Sequence, residues 1–185
     1  MKNWMLFTAH VNSLDDVSFV LLNGDLVDFG LNNEFNWVAA RLNKLKIPYI
    51  TAPGNHDMLA NGKKIFNEMF GPENFTFSYG ANRFIVLNTN SRETGFDGTV
   101  PDISWLQQQL AFTDEYQNIF VLSHVAPFSA DFDKKLEQPF YDALASIPRH
   151  VYHYMDMTIH FKLLHPAARI FLTCLPGQVM IATMH

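Results

Sequence analysis

Three short polar clusters in this sequence have the residue types to do chemistry: Gly24-Asp25-Leu26-Val27-Asp28, Gly54-Asn55-His56-Asp57 and Ser123-His124. A carboxylate, an amide oxygen and an imidazole hold divalent cations well when separate rigid elements bring them together. An imidazole beside a carboxylate can also move a proton near neutral pH, because its pKa lies there and the partner fixes its tautomer. Taken singly, each cluster has a plainer explanation. Asp25 and Asp28 suit turns or caps, Asn55 suits a left-handed turn, and His124 suits a satisfied strand end. Their order, each directly after an apolar run, argues that they act as a set.

Positioning such donors falls to the elements before them. Residues 17–22 form a continuous apolar run ending at Asn23-Gly24-Asp25, the pattern of a strand buried on both faces that delivers a polar loop at its end. Residues 48–52 predict a second strand, running into Pro53-Gly54-Asn55-His56, and 118–123 a third, leading to His124. Trp4, Phe7, Val11 and Leu14 repeat at helical spacing, predicting a helix to about residue 12. Phe35, Val38, Leu42 and Leu45 do the same in a helix that Asn33 can cap and Pro48 stops. Helices at 63–70, 101–112 and 136–145, and a hairpin of 75–79 with 83–89, complete the pattern. Strand, polar loop and helix in recurrence predict a layered, largely parallel α/β domain with its site at the strand ends. Trp37 and Trp105 are read as core, and Asp97, Asp102, Asp131 and Asp133 as loop or cap residues.

In this order the clusters resemble the calcineurin-like metallophosphoesterase superfamily, over roughly residues 17–146. The resemblance implies an α/β fold, a layered αββα sandwich of two sheets flanked by helices. It implies hydrolysis of a phosphomonoester or phosphodiester on two divalent ions roughly 3.5–4 Å apart, which polarise the phosphate and activate the attacking water. By position, Asp25 becomes the carboxylate bridging both ions, and Asn55 and His124 become ligands of the second ion. His56 becomes the acid that protonates the leaving oxygen, and Asp28 the carboxylate that orients it. Mn, Fe or Zn would suit these mixed donors. Phe29 stands where the family's protein Ser/Thr phosphatases have an Arg, and Asp57 where they have Glu. Both departures turn the resemblance toward cyclic-nucleotide phosphodiesterases and related small-molecule phosphoesterases. Some relatives resembling this fold have lost ligands and act as scaffolds, so the alternative is a non-catalytic interaction module.

Two pieces of the family pattern are absent. No Asp-x-His occurs, so the chain is expected to open in the helix that follows the family's first strand. Gly-His-x-His is missing too, and composition changes: from Ile147 on lie five of the eight histidines, four of the eight methionines, the one cysteine and no glutamate. Read one frame over, the codons behind residues 152–161 can encode Ser-Leu-His-Gly-His-Asp-His-Ser-Phe, which contains that motif. The expected organisation is a metallophosphoesterase domain at 1–146, incomplete at both ends, and an out-of-frame tail at 147–185 whose deletion costs little. His153, His160 and His165 lack the spacing of replacement ligands. One weak cation site and impaired activity are therefore expected of this chain.

Composition sets the outer bounds. An apolar content of 48% over 185 residues is enough to bury one continuous core. A formal charge of -5 leaves no broad basic face to hold nucleic acid through counterion release, so a phosphate would need local cations. Cys174 has no partner for an internal disulfide. Arg169, Pro176, Gly177 and Gln178 interrupt the greasiest stretch, and no membrane span is expected. The expected partner is a small-molecule phosphoester.

Overall fold

The computed structural model describes residues 4–15, 17–112, 115–147, 150–155, 170–175 and 179–184, and among them five helices and eight strands form. One sheet runs in the order β2 (Tyr49–Ala52), β1 (Phe19–Asn23), β8 (Val179–Met184), β7 (Ile170–Leu175). Here β1 is parallel to β2 and antiparallel to β8. The other sheet runs β3 (Phe75–Tyr79), β4 (Asn82–Val86), β5 (Asn118–Leu122), β6 (His150–Tyr154). Its first pair is the hairpin foreseen at Gly80-Ala81, and β4, β5 and β6 are parallel.

Strand alternation explains the layering, because successive side chains leave opposite faces. From β1, Val20 and Leu22 pack with Trp4 and Val11 of α1 (Trp4–Val11), Phe35, Val38 and Leu42 of α2 (Asn32–Leu42) and Phe66 of α3 (Gly62–Phe70). Phe19 and Leu21 point the other way, onto Phe84, Val86, Phe120 and Leu122 of the second sheet. The remaining residues of β4 and β5, Ile85, Ile119 and Val121, pack on Leu106 and Leu110 of α4 (Ile103–Ala111) and Phe140 and Ala143 of α5 (Lys134–Ala145). Helices, sheet, sheet, helices: this is the αββα sandwich.

Between the sheets, aromatic rings form a row across four paired strands. Phe77, Phe84, Phe120 and Tyr152 are register partners in turn, with centroid separations of 4.6, 4.9 and 5.0 Å. Phe19 of the first sheet meets Phe77 and Phe84 edge-on at 5.7 and 5.5 Å. Each such pair adds roughly 0.5–1.5 kcal/mol beyond the area it buries, so the row pins one sheet to the other.

Two details differ from the expectations. The N-cap of α2 is Leu31, not Asn33, and Glu34 of the first turn folds back to accept the amides of Phe29 and Leu31 at 3.1 and 3.0 Å. Helix α5 begins earlier, at Lys134, because Asp133 caps it by accepting from Lys135 N–H at 3.0 Å. Within 147–185, described residues 150–154, 170–175 and 179–184 are strands of the two sheets, while His160 and His165 lie outside the described residues. No helix among the described residues is long and apolar enough to cross a membrane.

Candidate metal centre

The C-terminal ends of β1, β2 and β5 meet at one edge of the sandwich. Asn23, the last residue of β1, donates its side-chain amide to the Ser123 carbonyl at 2.8 Å, tying the first sheet to the end of β5. Immediately beyond, Gly24 and then Asp25 adopt positive φ, 84° and 53°. A left-handed conformation is costly for a residue with a Cβ, so at Asp25 it marks backbone strain held by the surroundings. The turn carries the Asp25 carboxylate back over the strand ends.

Glycine is required here for space as well. A Cβ on Gly24 would lie 2.6 Å from His124 Nδ1 and 2.7 Å from Gly54 Cα, and a Cβ on Gly54 would collide with the Asp25 amide and carboxylate. The two loops therefore touch backbone to backbone, which brings Asn55 beside Asp25.

The expected ligands come together. His124 is buried, and its Nδ1 lies 2.7 Å from the Asn23 carbonyl. A carbonyl only accepts, so the proton sits on Nδ1 and the Nε2 lone pair is left to face the site. Nε2 lies 3.0 Å from Asn55 Oδ1 and 3.3 Å from Asp25 Oδ1. Burial pushes the Asp25 carboxyl up, but the hydrogen bond and charge that His124 supplies when Nε2 is also protonated, with the His56 amide, outweigh it and hold the group below the usual carboxylate range. One carboxylate oxygen, one amide oxygen and one imidazole nitrogen lie together here, donor types that could hold a divalent cation. Among the described residues no group of three or more His, Cys, Asp or Glu side chains is placed to hold a metal ion.

His56 and Asp28 are also neighbours, though not as expected. His56 is exposed beside the ligands, and its main-chain N–H donates to Asp25 Oδ1 at 3.0 Å. Its ring Nδ1 lies 2.7 Å from the backbone carbonyl of Asp28. A main-chain oxygen, rather than the Asp28 carboxylate, thus fixes the ring's tautomer; the Asp28 side chain is exposed.

Two sets of supporting residues escaped the sequence. Asp57 is fully buried, and its oxygens accept the amides of Val27 at 3.0 Å and Gly54 at 2.9 Å, so one carboxyl braces both ligand loops. Burial drives it up to about 7 despite those two amides. The second set is the buried run Asn88-Thr89-Asn90-Ser91 after β4. Asn90 donates to the Pro53 carbonyl at 3.1 Å, and Thr89 Oγ1 accepts the amide of Val125, next to His124, at 2.9 Å. The signal was present: this polar run also follows the end of a parallel strand. An adjoining cavity of about 230 Å³ between α1 and α2 is lined by Leu26, Val27, Asp28 and two tryptophans, and Asp25, Asn55 and His124 are not among its lining.

Residues 3–157 match the sequence model of the calcineurin-like phosphoesterase family. A probable cyclic nucleotide phosphodiesterase of Moraxella catarrhalis is 27% identical over 178 residues, covering 85% of this chain and 64% of that protein. A probable glycerophosphodiester phosphodiesterase of Arcobacter nitrofigilis is 29% identical over 120 residues, 60% of this chain and 44% of that protein. A probable cyclic nucleotide phosphodiesterase of Fibrobacter succinogenes is 28% identical over 119 residues, 61% and 44%. The chain thus spans less than half the length of two of these relatives. With its sandwich, its three strand-end loops and a family match across most of its length, the chain belongs to the calcineurin-like phosphoesterases.

Proposed function

We propose that this chain binds one divalent cation through Asp25, Asn55 and His124 and, with it, hydrolyses a small phosphoester. One observation carries the proposal: with Nδ1–H committed to the Asn23 carbonyl, His124 Nε2 lies 3.0 Å from Asn55 Oδ1 and 3.3 Å from Asp25 Oδ1. Lone pairs so placed repel unless a positive centre lies among them, and a cation or an added proton on Nε2 would answer that need. A bound cation would polarise the phosphoryl group and lower the pKa of the attacking water.

The chain's own side chains supply the remainder. His56, whose Nδ1–H donates to the Asp28 carbonyl, leaves Nε2 as the nitrogen that takes up a second proton to form the imidazolium and gives that proton to the leaving oxygen. The amide of the same residue is bonded to Asp25, so the acid and the cation's carboxylate are fixed relative to each other. The relatives' names favour a small diester, cyclic or glycerol-based, over a phosphoprotein. A single site and modest turnover are proposed because Asp25, Asn55 and His124 are the candidate ligands brought together among the described residues.

Calorimetric titration with Mn²⁺ and Zn²⁺, paired with hydrolysis of p-nitrophenyl phosphate and bis-p-nitrophenyl phosphate, tests this. About one ion per chain is expected, with at least roughly tenfold weaker binding in Asp25→Ala and turnover lowered about 10²–10⁴-fold in His56→Ala. Cation binding without turnover of either ester would leave an interaction module of this fold. No cation binding at all would remove the proposal, leaving the proton on Nε2 as the answer to the crowded acceptors.

A further inference from the structure

The surface beside His56 carries large apolar side chains that the core does not cover. Phe29 and Leu31 are 62% and 50% exposed, and they flank Gly30. At φ 67°, Gly30 backs directly on the chain that leaves the one-turn helix His56–Met58: a Cβ there would lie 2.2 Å from the Leu59 carbonyl oxygen. Leu59 is itself 37% exposed, so the three side chains belong to two touching loops. Single apolar residues on a surface are ordinary, whereas several together beside a polar site mark a place where something binds. Phe29 is also firmly held. The peptide group joining it to Asp28 accepts from His56 Nδ1–H at 2.7 Å through its carbonyl and donates its N–H to Glu34 Oε2 at 3.1 Å. Because that group is planar and trans, the Phe29 Cα lies about 3 Å from the carbonyl oxygen that orients the imidazole. Phe128 is as open, at 67%, but its ring is stacked on Tyr141 at 5.2 Å; among the described residues Phe29 pairs with no other ring.

We infer that the exposed Phe29 ring, with Leu31 and Leu59 beside it, is a stacking platform for a nucleobase in the leaving group, so that the preferred phosphoester is that of a nucleoside. The inference rests on the phosphoester function proposed above, in which His56 gives its proton to the leaving oxygen. The alcohol attached to that oxygen therefore lies on the His56 side of the phosphorus, and Phe29 is the open ring on the peptide group that holds that imidazole. A purine or pyrimidine presents a flat π-face to such a ring and gains from stacking whatever its edge groups, while glycerol presents none. In a 3′,5′-cyclic nucleotide the leaving oxygen belongs to the ribose, which carries the base on the same side.

Calorimetry on the Mn²⁺-loaded full chain with two monoester probes, adenosine 5′-monophosphate and glycerol 3-phosphate, tests this. Phe29→Ala should weaken the nucleotide at least about tenfold more than glycerol 3-phosphate, and Phe29→Trp, which keeps a flat ring, should retain the preference. The same contrast is expected in kcat/KM between adenosine 3′,5′-cyclic phosphate and glycerophosphoethanolamine. Since the ring is mostly exposed, Phe29→Ala should melt with the unaltered protein, which keeps a loss of binding apart from a loss of folding. Equal losses on both probes would assign Phe29 to the support of the Asp28 loop and overturn the inference, as would no loss on either, or binding of glycerol 3-phosphate alone by the unaltered protein. If the unaltered protein neither binds nor hydrolyses any of these compounds, the phosphoester function has failed and this inference falls with it; if it accepts both kinds and Phe29→Ala does not discriminate, Phe29 alone is misassigned.

Discussion

Asp57 is a carboxyl without solvent, fixed between two main-chain amides of different loops. Replacing it by alanine would strand the Val27 and Gly54 N–H groups in the interior, and each unsatisfied donor costs roughly 1–3 kcal/mol. Asp57→Ala is therefore expected to lose about 2–5 kcal/mol of stability by urea unfolding and to weaken Mn²⁺ binding by calorimetry, because the Asp25 and Asn55 loops lose their shared brace. Retention of both properties would show that the loops hold their own shape. The convergence of Asp25, Asn55 and His124 was legible in the sequence because each follows an apolar run that reads as a buried strand, and parallel strands end at one edge. Asp57 was not, since spacing does not tell which side chain of the one-turn helix His56–Met58 turns inward. The partner of His56 escaped for a related reason: spacing brought Asp28 near, but whether its carbonyl or its carboxylate meets the ring is decided by the path of the main chain.

At the scale of elements, β6 offers a measurable signature. His153 faces the second core cluster, with Nε2 2.7 Å from Ser123 Oγ and its ring 5.0 Å from that of Phe140. Burial lowers its pKa from 6.5 to about 4. Between those values the unfolded chain takes up a proton that the folded chain refuses, so stability is fully present above pH 6.5 and is lost as pH falls toward 4. Melting temperatures measured without metal should decline across that window, and the decline should be shallower in His153→Gln, which can hydrogen-bond Ser123 but cannot charge. Identical pH profiles would mean that β6 does not enclose the ring. Helix positions were read correctly from apolar spacing, but the start of α2 was not, because a cap supplied from within the helix by Glu34 leaves no residue at the N-cap position to recognise. The run after β4 was passed over because its polar residues look like a solvated loop, although they are buried.

For the whole molecule, the question is where the folded unit ends. Tyr152 and Tyr154 stack on Phe120 at 5.0 and 6.1 Å, and β6 covers the free edge of β5 along its whole length. A chain ending at Ser146 would lose both, whereas one ending at Met155 would keep them. The shorter form is expected to melt several degrees lower, since ring contacts and the burial of two tyrosines together amount to about 2–4 kcal/mol. Equal melting temperatures would place the end of the unit at Ser146, the division proposed from composition. The layering was legible because alternation in β1, β4 and β5 is complete on both faces. The partners of β1 and β5 drawn from beyond Ile147 were not, since a segment rich in histidine and methionine carries neither clean alternation nor helical spacing.

The contact between Gly24 and Gly54 also bears on how this protein can vary over generations. Neither position tolerates a methyl group, and no compensating change at the other makes room, because what each side chain would strike is main chain, the His124 imidazole or the Asp25 carboxylate. Selection therefore handles two codons far apart in the gene as one inflexible character. A saturation library screened for cation retention would return glycine alone in both columns.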